Sequence, residues 1–401
     1  MTMSNASNIS RRNVIAIGAA AAAGVTVGAS TAVAASQLGQ GSEFGAVGQL
    51  TVPFFGKNQP GIATPVQAAG TFVAFTLKPD ADTSSVGRLL RLWTSDISLL
   101  MAGRPAMADS NPELAATPAR LTVTVGLGFE AFNRAGVPYE YPVIARELPA
   151  YKTIDALEPQ WVGGDLLLQV CADDALSVSH AVRELIKDAA PFADVRWIQK
   201  GFAPHAGVNA GETPRNLMGQ VDGTDNPSLN GAEFSSVVFS NGERHPWFAN
   251  GSTFVLRRIR MQLDTWEKLS PEMQEKVIGR NRKNGAPLTG VNEKDTPDYL
   301  AKNPDGSFVI PEDAHIRRAS TPLNIFRRVY NYDDGITAGG VSDAGLLFAT
   351  YQAELSQYLE IQSLLAEKDS LNRWTTPVGS AVFAILPGCE EGDYLGSAIF
   401  A

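Results

Sequence analysis

Sulfur and imidazole are scarce in this 401-residue chain, which has two cysteines, Cys171 and Cys389, and four histidines. Two cysteines cannot build a four-thiolate zinc or iron–sulfur site. No Cys-x-x-Cys-His run is present, so a covalently attached c-type haem is excluded as well. Basic charge is also short: 33 Lys and Arg stand against 42 Asp and Glu, a formal net charge of −9. That balance argues against nucleic acid or an anionic membrane surface as a partner. Beyond the first 35 residues no run is apolar over the ~20 positions a spanning helix requires. The body is therefore not expected to be an integral membrane protein, while self-association into a homo-oligomer stays open.

What the N-terminus does contain is distinctive. Ser10-Arg11-Arg12-Asn13-Val14-Ile15 precedes an Ala/Gly-rich apolar run from Ala16 to Ala35, and Ala32-Val33-Ala34 offers a small-residue cleavage site. Paired arginines before a weakly hydrophobic core resemble a twin-arginine export signal more than a membrane anchor. The expectation is a signal peptide at 1–35 and a periplasmic or extracellular product. Its removal takes away two positive charges and moves the formal net charge from −9 to −11. The twin-arginine route carries folded proteins, often with a cofactor already loaded. A chain folded in the reducing cytoplasm cannot depend on a Cys171–Cys389 bond, so two buried thiols are favoured over a disulfide.

The remainder, 44% hydrophobic over the whole chain, is ample for a large core. Thr71–Leu77 reads as a strand, Ser84–Met101 as a helix, Leu121–Leu127 and Gly164–Cys171 as strands, Ala175–Ala189 as an amphipathic helix and Val195–Phe202 as a strand. The order β-α-β-β-α-β is ferredoxin-like. A second such pattern starts at the Ser252–Arg260 strand, continues through short helices, and returns at Gly345–Tyr351, a helix near Glu354–Leu365 and Ser380–Ile385. The expected fold class is α+β: two ferredoxin-like halves with antiparallel sheets, divided as 36–210 and 211–401. The stretch 279–325 is long for a connection and rich in Pro, Asn and Asp, the mark of a functional excursion.

Candidate chemistry gathers in three places. Gly219-Gln220-Val221-Asp222-Gly223-Thr224 sets one carboxylate among glycines, ahead of Asn226-Pro227; alone, these are ordinary turn dipeptides. Asp313-Ala314-His315-Ile316-Arg317 lies in the excursion. Asn324-Ile325-Phe326-Arg327-Arg328-Val329-Tyr330 puts an arginine pair in an apolar setting, where a solvated charge is less expected.

Together these segments resemble the dye-decolorizing peroxidases. The similarity extends to Gly61-Ile62-Ala63-Thr64-Pro65, Gly164–Gln169, Gly285-Ala286-Pro287-Leu288-Thr289-Gly290 and Gly345-Leu346-Leu347-Phe348, in the family's order along nearly the whole mature chain. With the export signal, it is similar to the exported branch that includes deferrochelatase/peroxidases. The resemblance implies non-covalent haem b, one per chain, bound in the second half. It implies His315 as proximal iron ligand, Asp222 as distal acid–base and Arg327 as distal arginine, with Gly223 and Thr224 at the cofactor. Arg327 is preferred to Arg328 because it directly follows the Ile325-Phe326 pair. Hydrogen peroxide and aromatic electron donors are the implied substrates.

These residue types suit that chemistry independently. Imidazole is the usual proximal ligand in peroxidases. Splitting peroxide needs a group that moves a proton from one oxygen to the other, which a carboxylate can do. It also needs a fixed positive charge at the departing oxygen, and arginine stays protonated. An aspartate in that place, with an ordinary pKa near ~3.9 against ~6.5 for histidine, leads us to expect fastest dye turnover on the acid side of neutrality. A metal-bound histidine also needs an orienting partner, for which Glu354 and Asp343 are the candidates. Trp247, Trp266, Tyr330, Tyr332 and Tyr351 are available as radical relays but are chiefly packing residues. Three other functions remain in view: haem processing of the deferrochelatase kind, a non-catalytic haem carrier, and a cofactor-free acidic binding module.

Overall fold

In strand β1 (Ala69–Leu77), Phe72 and Ala74 belong to one buried cluster and Val73, Phe75 and Leu77 to another. The pleat sends successive side chains to opposite faces, so an apolar run of this kind must be covered on both. Every residue of β2 (Thr122–Leu127) and β3 (Leu166–Ala172) is likewise buried. One cover is helical. Helices α1 (Thr83–Met101) and α2 (Ala175–Ala189) pack over Val73, Phe75 and their neighbours. Asp82 and Asp174 fix the helix starts, accepting from the Ser85 and Ser177 N–H groups at 2.8 and 2.9 Å, donors that the first turn leaves without helical partners. Trp93 Nε1 donates to the Leu185 carbonyl at 3.0 Å and ties the helices together. Full burial of a side chain such as Phe75 contributes about 1.5–3 kcal/mol.

The other cover is the sheet itself. The protein, a computed structural model, is described over residues 47–134, 147–205, 208, 211–337 and 339–400; the expected export signal at 1–35 lies outside them. Among the described residues β1–β3 are joined by β4 (Ala193–Phe202), β5 (Ser252–Met261), β6 (Phe326–Arg327), β7 (Tyr330–Ile336), β8 (Ser342–Gln352) and β9 (Thr375–Ile385). They form one antiparallel sheet in the order β5-β9-β2-β3-β1-β4-β7-β8-β6. Because β5 also pairs with β8, from Thr253↔Gln352 to Arg260↔Gly345, eight strands close into a barrel, with β6 a short extension along β8. Phe72, Leu167, Phe254, Leu347, Tyr351 and Phe383 are part of the buried cluster inside it.

This corrects the expectation of two sheets. The strands of each half do stay together, as β2-β3-β1-β4 and β9-β5-β8-β7. They are fused edge to edge, however, at β2–β9 and β4–β7. Closure removes the unpaired edges that two separate sheets would expose. The second half also holds a strand beyond those its apolar pattern marks. β7 continues through Asp333, Asp334 and Gly335, polar positions that are exposed and hide its length from a hydrophobicity reading.

Further helices lie in the second half. Those used below are α3 (Pro271–Ile278), α4 (His315–Arg318) and α5 (Leu355–Lys368). No helix among the described residues is long and apolar enough to cross a membrane. Cys171 and Cys389 are both buried and free, and burial pushes both thiols up. Trp266, Tyr330, Tyr332 and Tyr351 are fully buried, which makes them packing residues rather than surface relays.

The β4–β7 seam is held at one registered pair, Phe202↔Asn331, and it depends on Gly201. A Cβ there would sit 2.6 Å from Tyr330 Cβ and 2.9 Å from the Asn331 carbonyl oxygen, so only a residue without one lets the strands close. Gly201→Val is expected to destabilise the fold by about 1–3 kcal/mol. A thermal melt checks it, and an unchanged Tm would show that the seam does not need the glycine.

Candidate active site

Strand register decides what the arginine pair does. Phe326 and Arg327 pair with Tyr351 and Thr350, the Arg328 N–H donates to the Ala349 carbonyl at 2.8 Å, and Tyr330 pairs with Leu347. One register thus runs unbroken along β8, and the two-residue alternation with it. Phe326, Tyr330 and Tyr332 join the cluster inside the barrel. Arg328 shares their face and is fully buried, its guanidinium donating to the Thr64 carbonyl and to Gln67 Oε1. Arg327, Val329 and Asn331 face the other way, onto a cavity of about 250 Å³.

Asp222 lies on that cavity. Its Oδ1 accepts from Arg327 Nη1 at 3.0 Å and its Oδ2 from Asn216 Nδ2 at 3.2 Å. The turn that carries it is set by Gly219 and Gly223, at φ +76 and +128, backbone conformations that favour glycine. Around Gly219 there is open space, so conformation alone explains that glycine. Asn226 then fastens the turn to the strand: its Nδ2 donates to the Arg327 carbonyl and its Oδ1 accepts from the Arg327 N–H, each at 2.7 Å. Gly223 lines the cavity. Thr224 does not; its hydroxyl donates to Glu293 Oε1 at 2.9 Å, beside Thr213 at 2.6 Å.

His315 opens α4, within the excursion. Gly279 ends α3 at φ +90, and a Cβ there would meet Ile316 Cγ1 at 2.7 Å, so this glycine lets α4 approach. The imidazole Nδ1 lies 2.6 Å from Asp369 Oδ2, just past the end of α5. Asp369 is nearly buried and also receives the Leu371 N–H at 2.9 Å. Glu354 and Asp343 are not the partners. Glu354 caps α5, and Asp343 binds Arg258, Arg260 and the Tyr332 hydroxyl. Burial pushes the His315 pKa down, but the charge and hydrogen bond of Asp369 push it up further, and the net direction is up. Arg327 and Asp222 also act on His315 electrostatically, which brings all three groups into one field, although His315 is not in the lining of the cavity beside Arg327.

The side chain of His315 keeps 32% of its surface despite its deep position, and those of Arg327 and Asp222 keep 24% and 14%. These are polar groups facing open space rather than packed protein. An imidazole with Nδ1 engaged by a carboxylate and the Nε2 lone pair left free, in the field of a carboxylate–guanidinium pair beside a cavity, fits haem.

The comparisons agree. The sequence pattern of the Dyp-type peroxidase N-terminal part matches residues 59–203, and that of the C-terminal part matches 213–390. The chain belongs to the DyP-type peroxidase family. It is 39% identical over 356 residues to the dye-decolorizing peroxidase of Thermobifida fusca, covering 84% of this chain and 82% of that one. It is 36% identical over 371 residues to the deferrochelatase of Escherichia coli K12, covering 86% of each. The crystal structure of a DyP-type peroxidase from Cellulomonas bogoriensis superposes with a TM-score of 0.85 at 45% identity, over 88% of this chain and 99% of that one. The protein is thus a peroxidase of the dye-decolorizing type, in a family that binds haem.

Reading the sequence missed three residues of this candidate site. Asn216 and Asn226 sit in the glycine-rich stretch itself, where their turn propensity concealed their contacts. Asp369 is 54 positions from His315, and no local pattern links the two.

Replacing Asp369 by Asn is expected to weaken haem binding by about 10–100-fold, the usual effect of losing a ligand's partner. Transfer of haem to a high-affinity acceptor protein measures this. The raised His315 pKa has a second consequence in the haem-free chain. The pair's stabilisation is fully present below the ordinary histidine pKa of ~6.5 and is lost as pH rises through the raised value. Denaturant melts across pH should show that loss in wild type and not in Asp369→Asn; parallel pH profiles would contradict it.

Proposed function

We propose that the protein is an exported haem peroxidase that reduces hydrogen peroxide and oxidises aromatic, dye-type donors. The observation that carries this reading is the 3.0 Å Arg327–Asp222 pair on a cavity, in the field of an imidazole held by Asp369. Haem b, one per chain and non-covalent, would be held by His315 Nε2 and would supply the two-electron redox chemistry.

The chain's own residues account for the rest. Asp369 holds His315 Nδ1 and so fixes which ring nitrogen is free to bind iron. The Asp222 carboxylate takes the proton from one peroxide oxygen and returns it to the departing one, acting as base and then as acid. Arg327, permanently charged, stabilises the negative charge that develops on the departing oxygen. Asn216 and Asn226 hold that pair in place. Gly223 allows backbone approach at the cavity wall, and Thr224 shares Glu293 with Thr213, which lines the cavity. We keep the division of the chain into 36–210 and 211–401, and read the barrel as two ferredoxin-like halves fused at their edges, with haem in the second.

Stopped-flow mixing of the haem-loaded enzyme with peroxide tests these roles. Asp222→Asn is expected to slow the reaction by about 10²–10⁴-fold, and Arg327→Leu by about 10²–10³-fold. Arg328→Leu should lower Tm while leaving the rate per bound haem near wild type. His315→Ala should purify with little haem. Wild-type rates for Asp222→Asn, or equal loss from both arginine variants, would sink the assignment.

The deferrochelatase relative supports a second reading of the same site, release of iron from intact porphyrin. Incubation with haem in the absence of peroxide, followed by assay for metal-free porphyrin, separates the two. A non-catalytic carrier would have no use for Asp222 and Arg327.

Export by the twin-arginine route rests on Arg11-Arg12 and the Ala/Gly-rich run after them. A double Arg11→Lys, Arg12→Lys variant should accumulate in the cytoplasm. Undiminished appearance outside the inner membrane would remove the proposal.

A further inference from the structure

Helices that pack together normally meet through apolar side chains. At the α1–α2 interface several positions are instead acidic. His180, Glu184 and Asp188 repeat every fourth residue along α2, Asp96 lies on α1, and Asp109 follows it in the chain. His180, Glu184 and Asp96 are 1%, 4% and 1% exposed, and the Asp109 side chain is wholly buried. Burial, with Asp96 and Glu184 beside it, pushes Asp188 up to about 7. Carboxyl groups are thus gathered at a largely buried interface, an arrangement that persists when the groups are neutral, paired or coordinate a metal. None of these residues lines the cavity beside Asp222 and Arg327.

The geometry at the centre is specific. His180 Nε2 is 3.1 Å from Asp109 Oδ2 and 3.8 Å from Glu184 Oε1. Although Nε2 and Asp109 Oδ2 are within ion-pair distance, neither atom makes a hydrogen bond of normal geometry. The outer oxygens of both acids are already engaged. Asp109 Oδ1 accepts from the Asn111 N–H at 2.8 Å, and Glu184 Oε2 is 2.5 Å from Lys187 Nζ. One inner oxygen of each acid and one ring nitrogen remain, all within 4.8 Å of one another. Donors about 2.1 Å from a shared tetrahedral ion stand roughly 3.4 Å apart, between the two measured separations.

We propose that Asp109, His180 and Glu184 bind a divalent first-row transition ion of the zinc class. Imidazole with two carboxylates suits such an ion, whereas calcium and magnesium prefer oxygen alone. The ion fastens α2 to the segment after α1 and neutralises the buried acids. The site is structural and separate from the haem chemistry.

The test uses the full haem-loaded chain, passed through chelator, incubated with Zn²⁺ and desalted, with bound metal counted by mass spectrometry. Parallel arms receive Ca²⁺ or Mg²⁺. One zinc per chain is expected to stay on the wild type and to be lost from His180→Gln and from Glu184→Gln, with the haem absorbance unchanged. No retained zinc on the wild type, equal retention by both variants, or a preference for Ca²⁺ or Mg²⁺ overturns the proposal. If a variant fails to fold, the wild type decides alone: its Tm must rise with added Zn²⁺ and level off at one equivalent, as binding to the folded state requires. A Tm indifferent to zinc overturns it equally.

Discussion

The site rests on the hydrogen-bonded register between residues 326–332 and β8. Because Arg328 bonds its N–H to Ala349 in step with the pairs on either side, two adjacent arginines are sent to opposite faces of one sheet. One becomes part of the barrel interior and the other meets Asp222. A slip of one residue would exchange them. It would put Arg327 among Phe326's apolar neighbours and leave Asp222 without its cation. Barrel closure resists such a slip, since β8 is paired along β5 on its other edge as well.

The buried arginine has its own requirements. Arg328 is satisfied from the N-terminal half, by the Thr64 carbonyl and Gln67. Gln67 in turn donates to Thr122 Oγ1 at 2.8 Å, and Tyr351 donates to Gln169 at 2.7 Å. The barrel interior is thus apolar with a polar network threaded through it. The strand that presents Arg327 to the cavity is anchored by residues more than 250 positions earlier in the chain. The first half must therefore be in place for Arg328 to be satisfied.

Much of this was legible in the sequence because it is written locally. Helices α1, α2 and α3 show their caps and apolar spacing, and most strands show their apolar runs. The segments around Asp222, His315 and Arg327 carry their family pattern in a dozen residues each. What could not be read was non-local. Fusion of the two halves into a barrel depends on which edges meet, and the glycine at 201 gives no hint that Tyr330 will lie against it. Asp369 follows a helix end and resembles any terminal polar residue. The candidates near strand ends, Glu354 and Asp343, were wrong because a capping box and an arginine cluster already use them.

The clamp by Asn226 has a further consequence. Its amide offers one donor and one acceptor to the backbone of residue 327, as a neighbouring strand would. The fastening ignores the side chain at that position. The guanidinium can therefore be exchanged without losing these two backbone hydrogen bonds. Scaffold and chemistry are held at the same residue by different atoms, which leaves selection free to retune the reaction on an unchanged frame.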